Sequence, residues 1–330
     1  MKGGKRSPEV GPIPLDGEHP LVVPVMSAAG GVGRSTVAAL LAAALNERTA
    51  DSRSRAVAVC DTRPRSASPW PGWLDHTAEH GTGWLAACTG DTEKFARELR
   101  RSTSAIDVAD GRPIWVLTDT GPLLPGFCEV EPGPRFWAPV LRYLRAAVID
   151  ADPLEGFRLI RQQGGGEPGT AANWLAVASA RTASLWVTDP SPAGLSRTLE
   201  AMTAAEECGL PMHQFIVAIN DARGHGWAAR SRSRRTLLAD RVGAIVEIGH
   251  DVDLRRDPRP SRSPERLSRG DIADLVMAVI GAGAGPVPRP APHRAPHPAP
   301  GPASVPAPAE RTPWHVAPAA HPAHPVPAGS

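Results

Sequence analysis

Residues 21–45 read "LVVPVMSAAGGVGRSTVAALLAAAL". The opening run is apolar and β-branched, as a buried strand is. The closing run is long, alanine- and leucine-rich, and suits an amphipathic helix. Between them, Gly30, Gly31 and Gly33 free the backbone to adopt φ > 0 and to approach an anion closely. A helix starting near Arg34 directs its unpaired N–H groups and the positive end of its dipole at that anion. Strand, glycine turn and helix in that order form a phosphate site.

The rest of the chain repeats the same two textures. Six more short apolar runs read as buried strands: "RAVAVCD" (55–61), "RPIWVLTD" (112–119), "RAAVIDA" (145–151), "SLWVTD" (184–189), "QFIVAIN" (214–220) and "GAIVEIG" (243–249). Amphipathic stretches such as "TEKFARELRRS", "GLSRTLEAMTAAEEC" and "GDIADLVMAVI" lie between them. The alternation predicts an α/β fold: a mainly parallel, doubly wound sheet of about seven strands with helices on both faces. No internal repeat is evident.

The boundaries follow from composition. Residues 1–19 are rich in Gly, Pro and charge and read as a flexible arm. Residues 20–282 form one domain. Residues 283–330 carry proline at nearly every second or third position and almost no large apolar groups, which predicts a disordered tail with polyproline II bias. The tail's five histidines are irregularly spaced and read as solvated rather than metal-binding. The chain has 330 residues, 42% hydrophobic, with a net charge of +2. No strong overall field steers it to one class of partner. The four cysteines, Cys60, Cys88, Cys128 and Cys208, show no metal-ligand spacing, as in a reduced cytoplasmic protein. No apolar run approaches the ~20 residues of a membrane span, and the N-terminus lacks a secretory apolar core.

In parallel sheets ligands gather at the carboxyl ends of the strands. Asp61 ends the second apolar run; Asp150 and Asp152 end the fourth. Beside a phosphate turn, two such carboxylates suit a hydrated Mg²⁺, and the Ser35 hydroxyl is placed to join them. A dinucleotide-binding turn is the rival. Against it, Thr36 stands where a third glycine belongs, and Asp61 lies beyond the usual ~20 residues.

Taken together these segments carry a family resemblance. "SAAGGVGRST" resembles the deviant Walker A motif, K-G-G-x-G-K-[ST], of the ParA/MinD group of P-loop ATPases. "VAVCDTRP" resembles that group's second aspartate motif. "AAVIDADP" resembles its Walker B strand, "FIVAIND" its base-reading strand, and "AIVEIGHDVDL" its closing strand, with Gly249 in place of a usual proline. Order and spacing match from about Leu21 to Ile280.

The resemblance implies ATP and Mg²⁺ as cofactors. Nucleotide contacts would come from Gly30, Gly31, Val32, Gly33, Arg34, Ser35, Thr36 and Asn220. Ser35, Asp61 and Asp150 would serve the metal, and Asp61 and Arg34 would serve catalysis. Asp152 and Thr188 are further candidates.

Two departures stand out. The group's lysine before the paired glycines, which reaches a partner's phosphates across a dimer, is Ala29. The lysine within the loop is Arg34, a planar fork rather than a point charge. Nucleotide binding rests mostly on backbone groups and is expected to survive. Hydrolysis rests on well-placed cations and is expected to be slow or absent.

The implied function is an ATP-binding switch or scaffold in partitioning or positioning of DNA, division or secretion machinery. Two alternatives remain open: an active partitioning ATPase that binds DNA non-specifically, and a pseudo-ATPase interaction platform of a secretion system. Implied partners are a second copy in a nucleotide-dependent homodimer, a protein bound through the proline-rich tail, and non-specific DNA. DNA would meet residues 221–270, which hold 12 Arg against 7 Asp and Glu. The proline-rich end cannot form a membrane-binding helix, so no membrane insertion is expected. "RDPRPSRSPERLSRGD" (256–271) reads as an exposed loop.

Overall fold

A computed structural model of the chain describes residues 19–48, 56–63, 67–78, 99, 101–108, 113–120, 140–151, 175, 180–224, 229–257, 259, 264–267 and 269–284. Asp152, the helix expected at "TEKFARELRRS" apart from Leu99, Arg101 and Ser102, the arm 1–18 and the tail from 285 lie outside the described residues.

All seven expected strands form. They are β1 (Leu21–Met26), β2 (Ala56–Asp61), β4 (Ile114–Leu117), β5 (Leu144–Asp150), β7 (Ser184–Thr188), β8 (Phe215–Asn220) and β9 (Ala244–Ile248). Two more are too short for a sequence period to show: β3 (Ser104–Ile106) and β6 (Arg181–Thr182). The strand order is β3-β4-β2-β5-β1-β7-β8-β9, with β6 also on β1. Every pairing is parallel except β3 with β4.

β1 is buried along its whole length because both faces of the sheet are covered. Leu21, Val23 and Val25 pack into the cluster of helices α1 (Arg34–Arg48) and α6 (Gly270–Gly283). Val22 faces the other way, toward Leu99, Val140 and Leu141. Met26 joins Trp186, Leu195 and Met202, the last two from α2 (Pro192–Glu207). Alternation along one strand thus feeds helices on opposite faces.

Pro24 sits in this central strand, where a missing N–H ordinarily breaks a ladder. Ala183 N donates to Val22 O, and Ala151 N to Val25 O, so even-numbered β1 residues address the β6/β7 side. That side is interrupted between Thr182 and Ser184. The absent donor therefore falls in the gap.

α1 departs from the amphipathic pattern expected of it. Residues Val37 to Asn46 are all buried. The helix lies against the sheet on one side and α6 on another, and its run of alanines permits both approaches at no loss of helix propensity.

Residues 256–271 are not a plain loop. They include α5 (Pro264–Leu267), which follows α4 (Val252–Arg256), and Arg269 ties the segment down. Its guanidinium donates to Asp251, Asp271 and the Gly249 carbonyl. Gly249 N in turn donates to Asp271 Oδ2 at 3.0 Å, a bond that a proline at this position could not make.

Candidate functional site

The turn after β1 is held from two directions. Ser27 Oγ donates to Ala29 O at 2.8 Å, and Val37 N closes the first helical bond to Gly33 O at 2.9 Å. Gly31 and Gly33 take φ of 74° and 83°, so glycine is required at both. At Gly33 the need is doubled, because a Cβ there would stand 2.3 Å from Asn220 Nδ2. That amide donates to Val32 O at 2.9 Å, clamping the end of β8 against the turn. On the outer side, nothing among the described residues lies within 4 Å of where a Cβ would stand on Gly30 or Gly31.

Ser35 and Thr36 sit half-buried in the first turn of α1, whose N–H groups have no partner within the helix. Ala29 packs against the core cluster. These features fit an anion such as a phosphate.

The acids lie next door. Asp61 and Asp150 are register partners across the parallel β2–β5 pair, and Val25 is the register partner of Asp150 on β1. Both carboxylates are buried, Asp150 completely. Arg34 does not extend its guanidinium away from them. Its Nε donates to Asp150 Oδ1 at 3.0 Å and its NH1 to Ser27 Oγ at 3.3 Å.

Asp150 Oδ2 accepts from Trp70 Nε1 at 2.8 Å, and Arg63 NH2 stands 2.9 Å from the same oxygen, as an ion pair rather than an aligned hydrogen bond. Asp61 Oδ1 accepts from both Arg63 N and Arg63 Nε at 3.3 Å. Asp61 Oδ2 accepts from Thr118 Oγ1 at 2.7 Å and from Ser68 Oγ. Each of the four carboxylate oxygens therefore has a protein donor. Two acids face two guanidiniums in a closed, charge-balanced quartet.

Burial pushes the Asp61 carboxyl up to about 6. Arg63 pulls it down, the adjacent Asp150 pushes it up, and the Ser68 and Thr118 hydroxyls pull it down. Burial likewise pushes the neighbouring Cys60 thiol upward, which leaves it unreactive.

The structure thus gathers Gly30, Gly31, Val32, Gly33, Arg34, Ser35, Thr36 and Asn220 around one turn, with Asp61 and Asp150 beside it. As arranged, the acids do not fit a magnesium ion: the Arg34 and Arg63 guanidiniums already neutralise both carboxylates, and every carboxylate oxygen already accepts from a protein donor. Among the described residues no group of three or more His, Cys, Asp or Glu is placed to hold a metal. Asn220 addresses the turn through Val32. Thr188 is buried at the end of β7, and its hydroxyl donates to Asp189 O. The "RSRSRR" run falls on α3 (Ala229–Ala239), where Arg235 pairs with Glu247 of β9.

Sequence reading missed Arg63, Ser68, Trp70 and Thr118. The only local signal was an arginine two residues after Asp61.

No protein-family model and no curated protein matches the chain. Solved structures do. A ParA family ATPase from Chlorobium tepidum aligns at 14% identity over 81% of this chain and 99% of its own, with a TM-score of 0.51. The fold is that of the ParA-family ATPases. Lesser likenesses include the septum site-determining protein MinD with Mg-ADP from Pyrococcus horikoshii, at 17% identity, 80% and 94% coverage and a TM-score of 0.47. McdA from Cyanothece in complex with ATP aligns at 15% identity, 80% and 96% coverage and a TM-score of 0.47. In this ParA-like frame the glycine turn and the quartet stand together at the carboxyl edge of the sheet. No described helix is long and apolar enough to cross a membrane.

Proposed function

We propose that the chain is a ParA/MinD-like nucleotide-binding switch or scaffold whose hydrolytic groups are turned inward. The glycine turn and the first turn of α1 supply the phosphate cradle. Arg34, the loop cation, is committed to Asp150. Asp61, the acid placed to position an attacking water, is enclosed by Arg63, Ser68 and Thr118.

One observation carries this reading: every oxygen of Asp61 and Asp150 already has a protein donor, Arg34 among them. Ala29 supports it, since a methyl group cannot reach across a dimer to a partner's phosphates. A bound nucleotide would then report its presence through the conformation around the turn, read by a second copy or by a protein held through the proline-rich tail.

The test is an equilibrium titration of the full chain with a fluorescent ATP analogue. Saturable binding, competed by ATP and weakened by Gly33→Asp, is expected. No binding at millimolar analogue would refute the switch and leave an interaction platform.

A further inference from the structure

The quartet does more than disable hydrolysis. In register across β2 and β5, Asp61 and Asp150 present two carboxylates from adjacent strands to a common point. Arg63 occupies that point. Its Nε lies 3.3 Å from Asp61 Oδ1 and its NH2 2.9 Å from Asp150 Oδ2. The side chain is 6% exposed, against 2% for Asp61 and 0% for Asp150.

A buried pair of like charges on neighbouring strands is relieved by protonating one acid or, where both stay ionised, by a bridging cation. A divalent ion is one solution; a guanidinium bridging both acids is another, and it cannot be lost to chelation. Trp70 shares Asp150 Oδ2 with Arg63, and Arg34 takes the remaining oxygen, Oδ1, so a second cation would have to displace a protein donor.

We propose that Arg63 is a built-in replacement for the divalent cation of this fold, and that the site takes its polyphosphate ligand free of metal. This rests on the cradle reading above and adds the chemical form of the ligand. In the cradle the phosphates meet backbone N–H groups and the α1 dipole, with counter-charge supplied by the chain itself. A magnesium-bound triphosphate, carrying its own coordination shell, gains nothing from two acids already bridged.

The experiment compares binding of a labelled ATP analogue to the full chain in excess EDTA and in excess Mg²⁺ at matched ionic strength. The wild-type Kd should differ by less than about 2-fold between the two. Arg63→Gln should weaken binding in EDTA by about tenfold and regain most of it with Mg²⁺, since it leaves the acid pair one counter-charge short beside the phosphates. Wild-type binding that needs Mg²⁺ by about tenfold or more overturns the proposal, as does Arg63→Gln behaving like wild type in both buffers. If Arg63→Gln does not fold, the wild-type comparison alone decides.

If the analogue binds in neither buffer, the cradle reading has failed and Mn²⁺ titration followed by electron paramagnetic resonance tests Arg63 separately. Wild type should bind no Mn²⁺. Arg63→Gln should gain a site that Asp150→Asn removes again. Mn²⁺ binding by wild type that Asp150→Asn abolishes, or no gain in folded Arg63→Gln, overturns the proposal.

Discussion

Arg34 Nε donates to Asp150 Oδ1 at 3.0 Å, joining the first residue of α1 to the last residue of β5. The two are far apart in sequence and meet because β1 and β5 are neighbours with Val25 opposite Asp150. The contact turns the loop cation from a group aimed at phosphate into half of a buried ion pair.

Breaking that pair should cost far more than the pair itself contributes. Asp150→Ala leaves Arg34 and Arg63 without their shared acid and Trp70 without its acceptor. We expect a loss of about 3–5 kcal/mol in urea-unfolding free energy. Asp150→Asn retains an acceptor oxygen and should lose less.

Asp61 sets a pH dependence of definite sign. Its folded carboxyl sits at about 6, above its ordinary 3.8. Between those values the folded chain holds the proton and the unfolded chain does not. Asp61 therefore weighs against folding at pH 7 and ceases to do so as pH falls through 6 toward 4. The upper bound of this contribution is about 3 kcal/mol. The difference in unfolding free energy between wild type and Asp61→Asn should accordingly shift in favour of wild type on going from pH 7.5 to 4.5. A shift in the opposite direction would show that the carboxylate, not the acid, is the favoured buried form.

The two sides of the glycine turn should respond differently to a methyl group. Gly33→Ala combines a positive φ with a clash against the Asn220 amide and should cost about 2–3 kcal/mol in thermal or urea unfolding. Gly30→Ala adds a methyl to open space and should stay within about 0.5 kcal/mol of wild type. If Gly30→Ala nevertheless weakens nucleotide binding, the open side of the turn is where the phosphate sits.

Trp70 anchors the segment after β2. Trp70→Phe keeps an aromatic ring against Trp73, whose centroid lies 5.2 Å away, but removes the donor to Asp150 Oδ2. A loss of about 1–2 kcal/mol is expected by chemical unfolding. Arg63 remains on that oxygen, so the loss should fall short of that in Asp150→Ala.

Much of this was legible in the sequence, for identifiable reasons. The seven long strands announced themselves because strands buried on both faces are continuous apolar runs. Asp61 and Asp150 stood out because each ends such a run. β3 and β6, at three and two residues, are shorter than any period.

The direction of Arg34 was not legible. A side chain at the start of α1 can turn into the cradle or back toward β5, and only the β1–β5 register decides. Arg63 and Trp70 lie in an aperiodic turn, and their partner Asp150 lies some 80 residues further along the chain. Their role exists only once β2 and β5 are side by side.

The central claim is that the fold retains a phosphate cradle while its acids and loop cation are locked to one another. Phosphate release from Mg²⁺–ATP by the purified full chain tests it most directly. The account predicts a rate indistinguishable from that of Asp61→Ala and from buffer. Brisk turnover by wild type that Asp61→Ala abolishes would contradict it.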